Sequence, residues 1–265
     1  MALRILSSVI LIPPLLLLLL HGTVTWVFFL LLPISAILLY EWHAMAGHLS
    51  WLRLAVAIGI AWFLLLNQWL GSLIPMELPV FLYVMFLFVS IMPQYRDHWQ
   101  LGMKIGHPLT GIIYCIFPLI MLLEVYHRMG GELILFLLLV IWATDSGALF
   151  IGRWLGRRKL AVAISPGKTV AGFWGGLACG GIVGMVAASP LSLPGGWITG
   201  GLVGTVLSLL GQLGDLAESM LKREAGVKDS GRLIPGHGGL LDRLDSLLFA
   251  APALYLLLRY WDWHP

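Results

Sequence analysis

The fold class this chain predicts is an all-α, polytopic integral membrane protein, and three observations predict it. Of its 265 residues, 59% are hydrophobic and only 11% charged, with a mean hydropathy of +0.92. Apolar runs recur along the whole length, each of the roughly 17–25 residues that a helix needs to cross a bilayer. The basic residues collect in alternate loops, as the positive-inside rule requires. Within lipid a segment must satisfy its own backbone N–H and C=O groups, so these runs are helices.

The first run, 4–20, lies in MALRILSSVILIPPLLLLLLHG, which has the look of a signal peptide. It lacks a small-x-small cleavage site after the leucines, and further apolar segments follow at once. It therefore reads as a retained first helix, kinked at Pro13 and Pro14. The next spans are 23–41, 53–73, 75–92, 106–124 and 132–151, the last ending near Thr144-Asp145-Ser146. Spans seven and eight, 170–188 and 197–217, carry glycines at four-residue spacing: Gly172, Gly176, Gly180 and Gly184, then Gly196, Gly200 and Gly204. That spacing predicts close packing of these two helices within the chain. The ninth span is 245–260.

With about nine spans and a cytoplasmic N-terminus, fourteen of the sixteen Lys and Arg residues fall inside. They are Arg4, Arg53, Arg96, Lys104, the group Arg153, Arg157, Arg158, Lys159 and Lys168, and the group Lys222, Arg223, Lys228, Arg232 and Arg243. Only Arg128 and Arg259 fall outside. An odd–even error in the count would scramble the sides, so the span count and the charge bias support each other. The organisation is one integrated membrane domain. Residues 1–130 form N-terminal membrane helices, and 131–265 form the helices that carry the chemistry, with cytoplasmic loops 152–169 and 218–244. The formal net charge of +3 reflects topology rather than affinity for nucleic acid. Cys115 and Cys179 lie inside apolar segments and read as small core residues. His21, His43, His48, His98, His107, His127 and His264 sit at span ends and read, like the tryptophans, as interfacial residues.

The chemistry concentrates between Gly214 and Asp245. Asp215, Glu218, Ser219 and Lys222 fall at i, i+3, i+4 and i+7 and share one helix face. Asp242 and Asp245 follow His237-Gly238-Gly239, one turn apart. Asp215 and Asp242, on adjacent helices with Glu218 and Asp245 nearby, form a set able to hold Mg²⁺, which takes a few protein oxygens and fills its shell with phosphate and water. Asp242 is also placed to cap its helix. Lys222, Arg223, Lys228, Arg232 and Arg243 suffice to neutralise a triphosphate or a lipid phosphate. The turn 235–239 offers backbone N–H groups as a phosphate nest. A loop that only sets topology has no need of the carboxylates or of this turn. In the other loop, Ser165-Pro166-Gly167-Lys168-Thr169 is not a Walker motif, because Val162 stands where the pattern needs glycine and no strand is expected before it. It remains a phosphate-binding turn of Ser165, Lys168 and Thr169.

The segment resembles the phosphatidate cytidylyltransferases, also called CDP-diacylglycerol synthases. The resemblance rests on Ser219-x-x-Lys222-Arg223, Lys228-Asp229, His237-Gly238-Gly239 and Asp242-Arg243-x-Asp245, with Asp145, Gly152-Arg153 and SPGKT upstream. It covers about the last 125 residues. One departure is Ala171, where the family often has Glu or Gln. The resemblance implies transfer of cytidylyl from CTP to phosphatidate, Mg²⁺ with a second cation beside it, and a homodimer in the bacterial inner membrane. Asp215 and Asp242 would be the metal ligands, with Asp245 and Glu218 close by. Lys222, Arg223 and His237 would act on phosphate, and Ser219, Lys228, Asp229, Gly238, Gly239 and Arg243 would line the substrate site. The competing readings are another CTP-dependent lipid enzyme, such as a polyprenol kinase, and an ion-coupled transporter using Asp215. The transporter is disfavoured because the charges gather at one membrane face and no inverted repeat is evident.

Overall fold

The computed structural model describes residues 13–47, 50–92, 101–190, 195–231 and 238–260, and within them the chain is almost wholly helical. Residues 13–21 are helical (α1) and lead into α2 (Val24–Met45), α3 (Trp51–Trp69) and α4 (Glu77–Ile91). A long helix α5 (Leu101–Met129) follows and widens into a π-helical turn at Ile112–Ile116 that carries Tyr114 and Cys115. The C-terminal half consists of α6 (Glu132–Leu155), α7 (Val170–Ala188), α8 (Gly196–Glu224) and α9 (Leu241–Tyr260). Each expected span overlaps one of these helices. Among the described residues six of them, α2, α3, α5, α6, α7 and α8, are long and apolar enough to cross a membrane, and α4 is a shorter apolar helix. The last helix, of 20 residues, opens on Asp242, Arg243 and Asp245. Leu202, Val206, Trp174 and Phe81 are among the large apolar side chains that face outward, the arrangement a hydrocarbon solvent favours.

Helices α7 and α8 pack through their glycines, as the four-residue spacing predicts. A Cβ on Gly204 would come within 2.6 Å of the Gly180 carbonyl, and one on Gly184 would overlap the Gly200 carbonyl. Only glycine lets the two backbones approach this closely. The buried core runs through both halves of the chain: Leu38, Leu39 and Trp42 of α2 join Ile112 and Ile116 of α5, Val140 of α6 and Leu248 of α9.

Two expectations are corrected. The loop after α6 is not free of strands. Lys159–Ala161 (β1) and Ser165–Thr169 (β2) pair antiparallel, with Lys159 opposite Thr169 and Ala161 opposite Ser165. SPGKT is therefore an extended strand with a strand before it, and still not a phosphate-wrapping loop leading from a strand into a helix. His43 and Trp42 are not interfacial either. Trp42 is 1% exposed, stacks on His107 and donates from Nε1 to the His107 carbonyl, while His107 Nε2 meets the Trp42 carbonyl at 3.0 Å. His43 is buried with Nδ1 2.8 Å from the Leu39 carbonyl. These side chains bind α2 to α5, and Tyr114, stacked on Trp42 and edge-on to Phe249, extends the knot to α9.

Candidate active site

Helix α8 runs to Glu224, so Asp215, Glu218, Ser219 and Lys222 do lie on one continuous helix. Their face is turned toward the first turn of α9. Lys222 Nζ donates to Glu218 Oε2 at 2.7 Å and to Asp242 Oδ1 at 2.6 Å, bridging the two helices. The side chains of Glu218, Asp242 and Lys222 are 0%, 7% and 14% exposed, so this is an ion triplet shielded from solvent. Ser219 Oγ donates to Asp215 Oδ1 at 3.4 Å.

The other oxygen of Asp242 is engaged as well. Oδ2 accepts from Ser230 N (2.9 Å), Ser230 Oγ (3.0 Å) and Gly239 N (2.8 Å). The glycine pair follows from this geometry. Gly238 has φ +80°, and a Cβ there would come 2.8 Å from Asp242 Oδ2. A Cβ on Gly239 would overlap Ser230 Oγ. The Gly239 N–H, expected to be open to phosphate, is instead donated to Asp242. His237 and Arg232 lie outside the described residues.

The two loops singled out by their charge meet in space. Lys168 Nζ on β2 lies 2.8 Å from Asp215 Oδ2, and both side chains are partly open to solvent. Arg223 donates from Nε to the Ile164 carbonyl in the turn of the hairpin. Thr169 turns the other way: its Oγ1 accepts from Gly172 N at 3.1 Å and caps α7. Ser165 sits opposite Ala161 in the hairpin. Lys228, Asp229 and Arg243 are exposed at the rim.

Three residues join the site that sequence reasoning did not assign to it. Glu41, near the end of α2, is 2% exposed and accepts from Ser230 Oγ, Leu240 N and Leu241 N. Its signal was available, since an acid in an apolar membrane helix is costly unless partnered. Asp145 of α6, noted at the end of span six and in the family resemblance but given no role, interacts electrostatically with Asp215, Lys168 and Asp245. Tyr114 feels Glu218, Asp245 and Asp215 from the π-helical turn. A π-helical turn often marks a functional position, but no local pattern flagged this one.

Whether these residues suit a divalent cation can be judged from their chemistry. Asp145, Asp215, Glu218, Asp242 and Asp245 gather around two ammonium groups, Lys168 and Lys222. Glu218 Oε1 is buried with no hydrogen-bond partner among the described residues. A buried carboxylate oxygen without a donor, in a cluster left net negative, fits a hard cation. Among the described residues no three His, Cys, Asp or Glu side chains converge into a ready-made cage.

The fold and the site define a polytopic membrane protein whose carboxylates and lysines are gathered where α6, α8 and α9 meet a short β-hairpin. The chain belongs to the cytidylyltransferase family, whose model matches residues 2–261. It is 39% identical over 227 residues to a phosphatidate cytidylyltransferase of Brucella suis, covering 84% of this chain and 80% of that one. It is 51% identical over 129 residues to the phosphatidate cytidylyltransferase of Bacillus subtilis, covering 49% of this chain and 48% of that one. A Staphylococcus epidermidis phosphatidate cytidylyltransferase is similar at 51% over 130 residues, 49% of this chain and 50% of its own.

Proposed function

We propose that the protein transfers the cytidylyl group of CTP to phosphatidate, releasing pyrophosphate and making CDP-diacylglycerol. The observation that carries this reading is the convergence of the Lys168–Asp215 pair with the Glu218–Lys222–Asp242 triplet, in a chain of the cytidylyltransferase family. A phosphate monoester has its second pKa near 6, so phosphatidate already presents a nucleophilic oxygen at neutral pH. No serine–histidine pair is needed to activate it. The oxygen forms a bond to the α-phosphorus as the α–β bridging bond breaks, and the electron pair leaves with pyrophosphate.

What the chain supplies is alignment and positive charge. Lys168 and Lys222 are held by carboxylates at the mouth and in the interior of the site, where substrate phosphates can take over their contacts. Arg223, Lys228 and Arg243 stand at the rim to draw in the triphosphate and the lipid headgroup, and His237 is proposed to act on phosphate with them. Asp215 and Asp242, with Glu218 and Asp245, would hold Mg²⁺, and a second cation fits the same net-negative cluster. For Asp242 that role would compete with its ion pair to Lys222. Bound there, Mg²⁺ would stabilise charge on the α-phosphate and the leaving pyrophosphate. The positive-inside distribution supports a cytoplasmic N-terminus and a site at the cytoplasmic face of a bacterial inner membrane, where soluble CTP and a lipid headgroup meet. A homodimer is part of this reading.

The test uses purified protein in detergent micelles with phosphatidate, labelled CTP and Mg²⁺, with Asp242→Asn alongside. Cytidine label in the lipid extract that disappears in the variant is the expected result. Folded protein that leaves all label in the aqueous phase refutes the assignment.

A further inference from the structure

Glu41 is the only acidic side chain of α2, and its carboxylate is turned away from lipid into the segment that holds Asp242. Oε1 accepts from Leu240 N at 2.9 Å, and Oε2 accepts from Leu241 N at 2.8 Å and Ser230 Oγ at 3.1 Å. The first N–H groups of a helix have no partner within it, and a carboxylate there meets both those donors and the positive end of the helix dipole. The chain makes room for this acid at two places. A Cβ on Gly231 would overlap Glu41 Oε1, and one on Gly239 would come 2.6 Å from Oε2.

Every group that Glu41 holds lies within two residues of Asp242 or is bound to it. Ser230 N donates to Asp242 Oδ2, the single hydroxyl proton of Ser230 is shared between that oxygen and Glu41 Oε2, and Gly239, which also donates to Asp242 Oδ2, immediately precedes Leu240. Leu241 is the residue before Asp242. We propose that Glu41 is a positioning residue: from the N-terminal half of the chain it clasps Ser230 and the start of α9, and so fixes the direction in which Asp242 presents its carboxylate to the reacting phosphates. The inference rests on the cytidylyltransferase reading above. It makes α2 part of the working site, although the motif residues that point to the chemistry all lie in the last 125 residues.

Glu41→Gln is the informative change, because it keeps the shape and replaces one acceptor oxygen by an NH₂ group. That group cannot accept from Leu240 N, or alternatively from Leu241 N and Ser230 Oγ, so one side of the clasp opens. The full chain in micelles would be assayed for cytidylyl transfer, and amide hydrogen exchange would be followed over 238–246. Ser230→Ala and Glu124→Gln would be run in parallel. Glu124 accepts from Gln68 and Arg128 and takes no part in the site.

The expected result for Glu41→Gln is a tenfold or greater fall in kcat, with KM for phosphatidate within about twofold of wild type, and exchange at Leu240 and Leu241 at least tenfold faster. Ser230→Ala should lower kcat about fivefold, and its effect should not add fully to that of Glu41→Gln, because both act through Asp242. Glu124→Gln should match wild type. Faster exchange with wild-type kcat would make Glu41 a structural clasp only and overturn the proposal, as would unchanged exchange. If Glu41→Gln does not fold, a wild-type kcat in Ser230→Ala overturns it instead. An inert wild-type protein whose exchange still responds to Glu41→Gln would instead locate the failure in the cytidylyltransferase reading, and the positioning role in that reaction would fall with it.

Discussion

Lys222→Met tests the centre of the site most directly. The substitution keeps most of the side-chain volume and removes the ammonium that lies 2.7 Å from Glu218 and 2.6 Å from Asp242. Glu218 is fully buried and Asp242 nearly so, which leaves two carboxylates facing each other across an apolar thioether. Removing one partner of a buried ion pair costs about 3–5 kcal/mol, because the remaining charge is desolvated and uncompensated. At about 2–4 °C per kcal/mol for a chain of this size, the melting temperature should fall by about 6–20 °C. Tryptophan fluorescence of purified protein in micelles would read the transition, with twelve tryptophans reporting.

Two further measurements separate this cause from lost packing. Adding Glu218→Gln to Lys222→Met removes one of the stranded charges, so the double variant should melt above the single one, with a coupling of about 1–3 kcal/mol. Mg²⁺ in millimolar excess should raise the melting temperature of Lys222→Met more than that of wild type, because it supplies the missing counter-charge. A Lys222→Met protein melting within about 2 °C of wild type, with or without Mg²⁺, would refute the buried-triplet argument. Cytidylyl transfer by the same variant should be lost, and unaltered kinetics for both substrates would reduce Lys222 to a topogenic charge.

Asp242→Asn should lower turnover by at least about 100-fold while the protein stays folded, since the change removes charge and not volume. Unaltered Mg²⁺-dependent transfer in that variant would sink the ligand assignment. Thr169→Ala removes the cap of α7 and should cost about 1 kcal/mol of stability without altering KM for CTP. A KM shift with an unchanged melt would instead make Thr169 a substrate contact. Gly184→Leu forces a side chain into the Gly200 carbonyl and should destabilise by about 1–3 kcal/mol or more. A wild-type melt there would mean that α7 and α8 are not in contact as described.

The parts legible in the sequence were those whose information is local. The 3.6-residue period placed Asp215, Glu218, Ser219 and Lys222 on one face, and α8 bears them on one face. The glycine spacing of spans seven and eight announced a backbone-to-backbone contact, and α7 and α8 make it. The hairpin Lys159–Thr169 was not legible. Its strands have three and five residues, too few to show alternation, and the segment lies between membrane helices where no lipid forces its backbone into a helix. Trp42 and His43 were misread for a related reason. At a span end an amphipathic ring serves equally well at the headgroups or inside a polar contact between helices, and only the partner decides.

Glu41 shows where local reading stops. Its partners are 189, 199 and 200 residues away, and nothing near Glu41 in the chain names them. What the sequence does contain is an imbalance at each end of that distance. On α2 a lone carboxylate closes an apolar run, a placement that is unfavourable in lipid unless donors meet it. A helix, α9, begins at Leu241, one residue beyond a pair of glycines, and its first N–H groups need acceptors. Asp242 supplies one acceptor but bends back to Gly239 and Ser230, so the amides of Leu240 and Leu241 are still unmet within their own segment. An unmatched acid and unmatched amides, assigned by the charge pattern to the same membrane face, are each other's solution. Pairing such imbalances across a membrane chain reaches contacts that periodicity cannot.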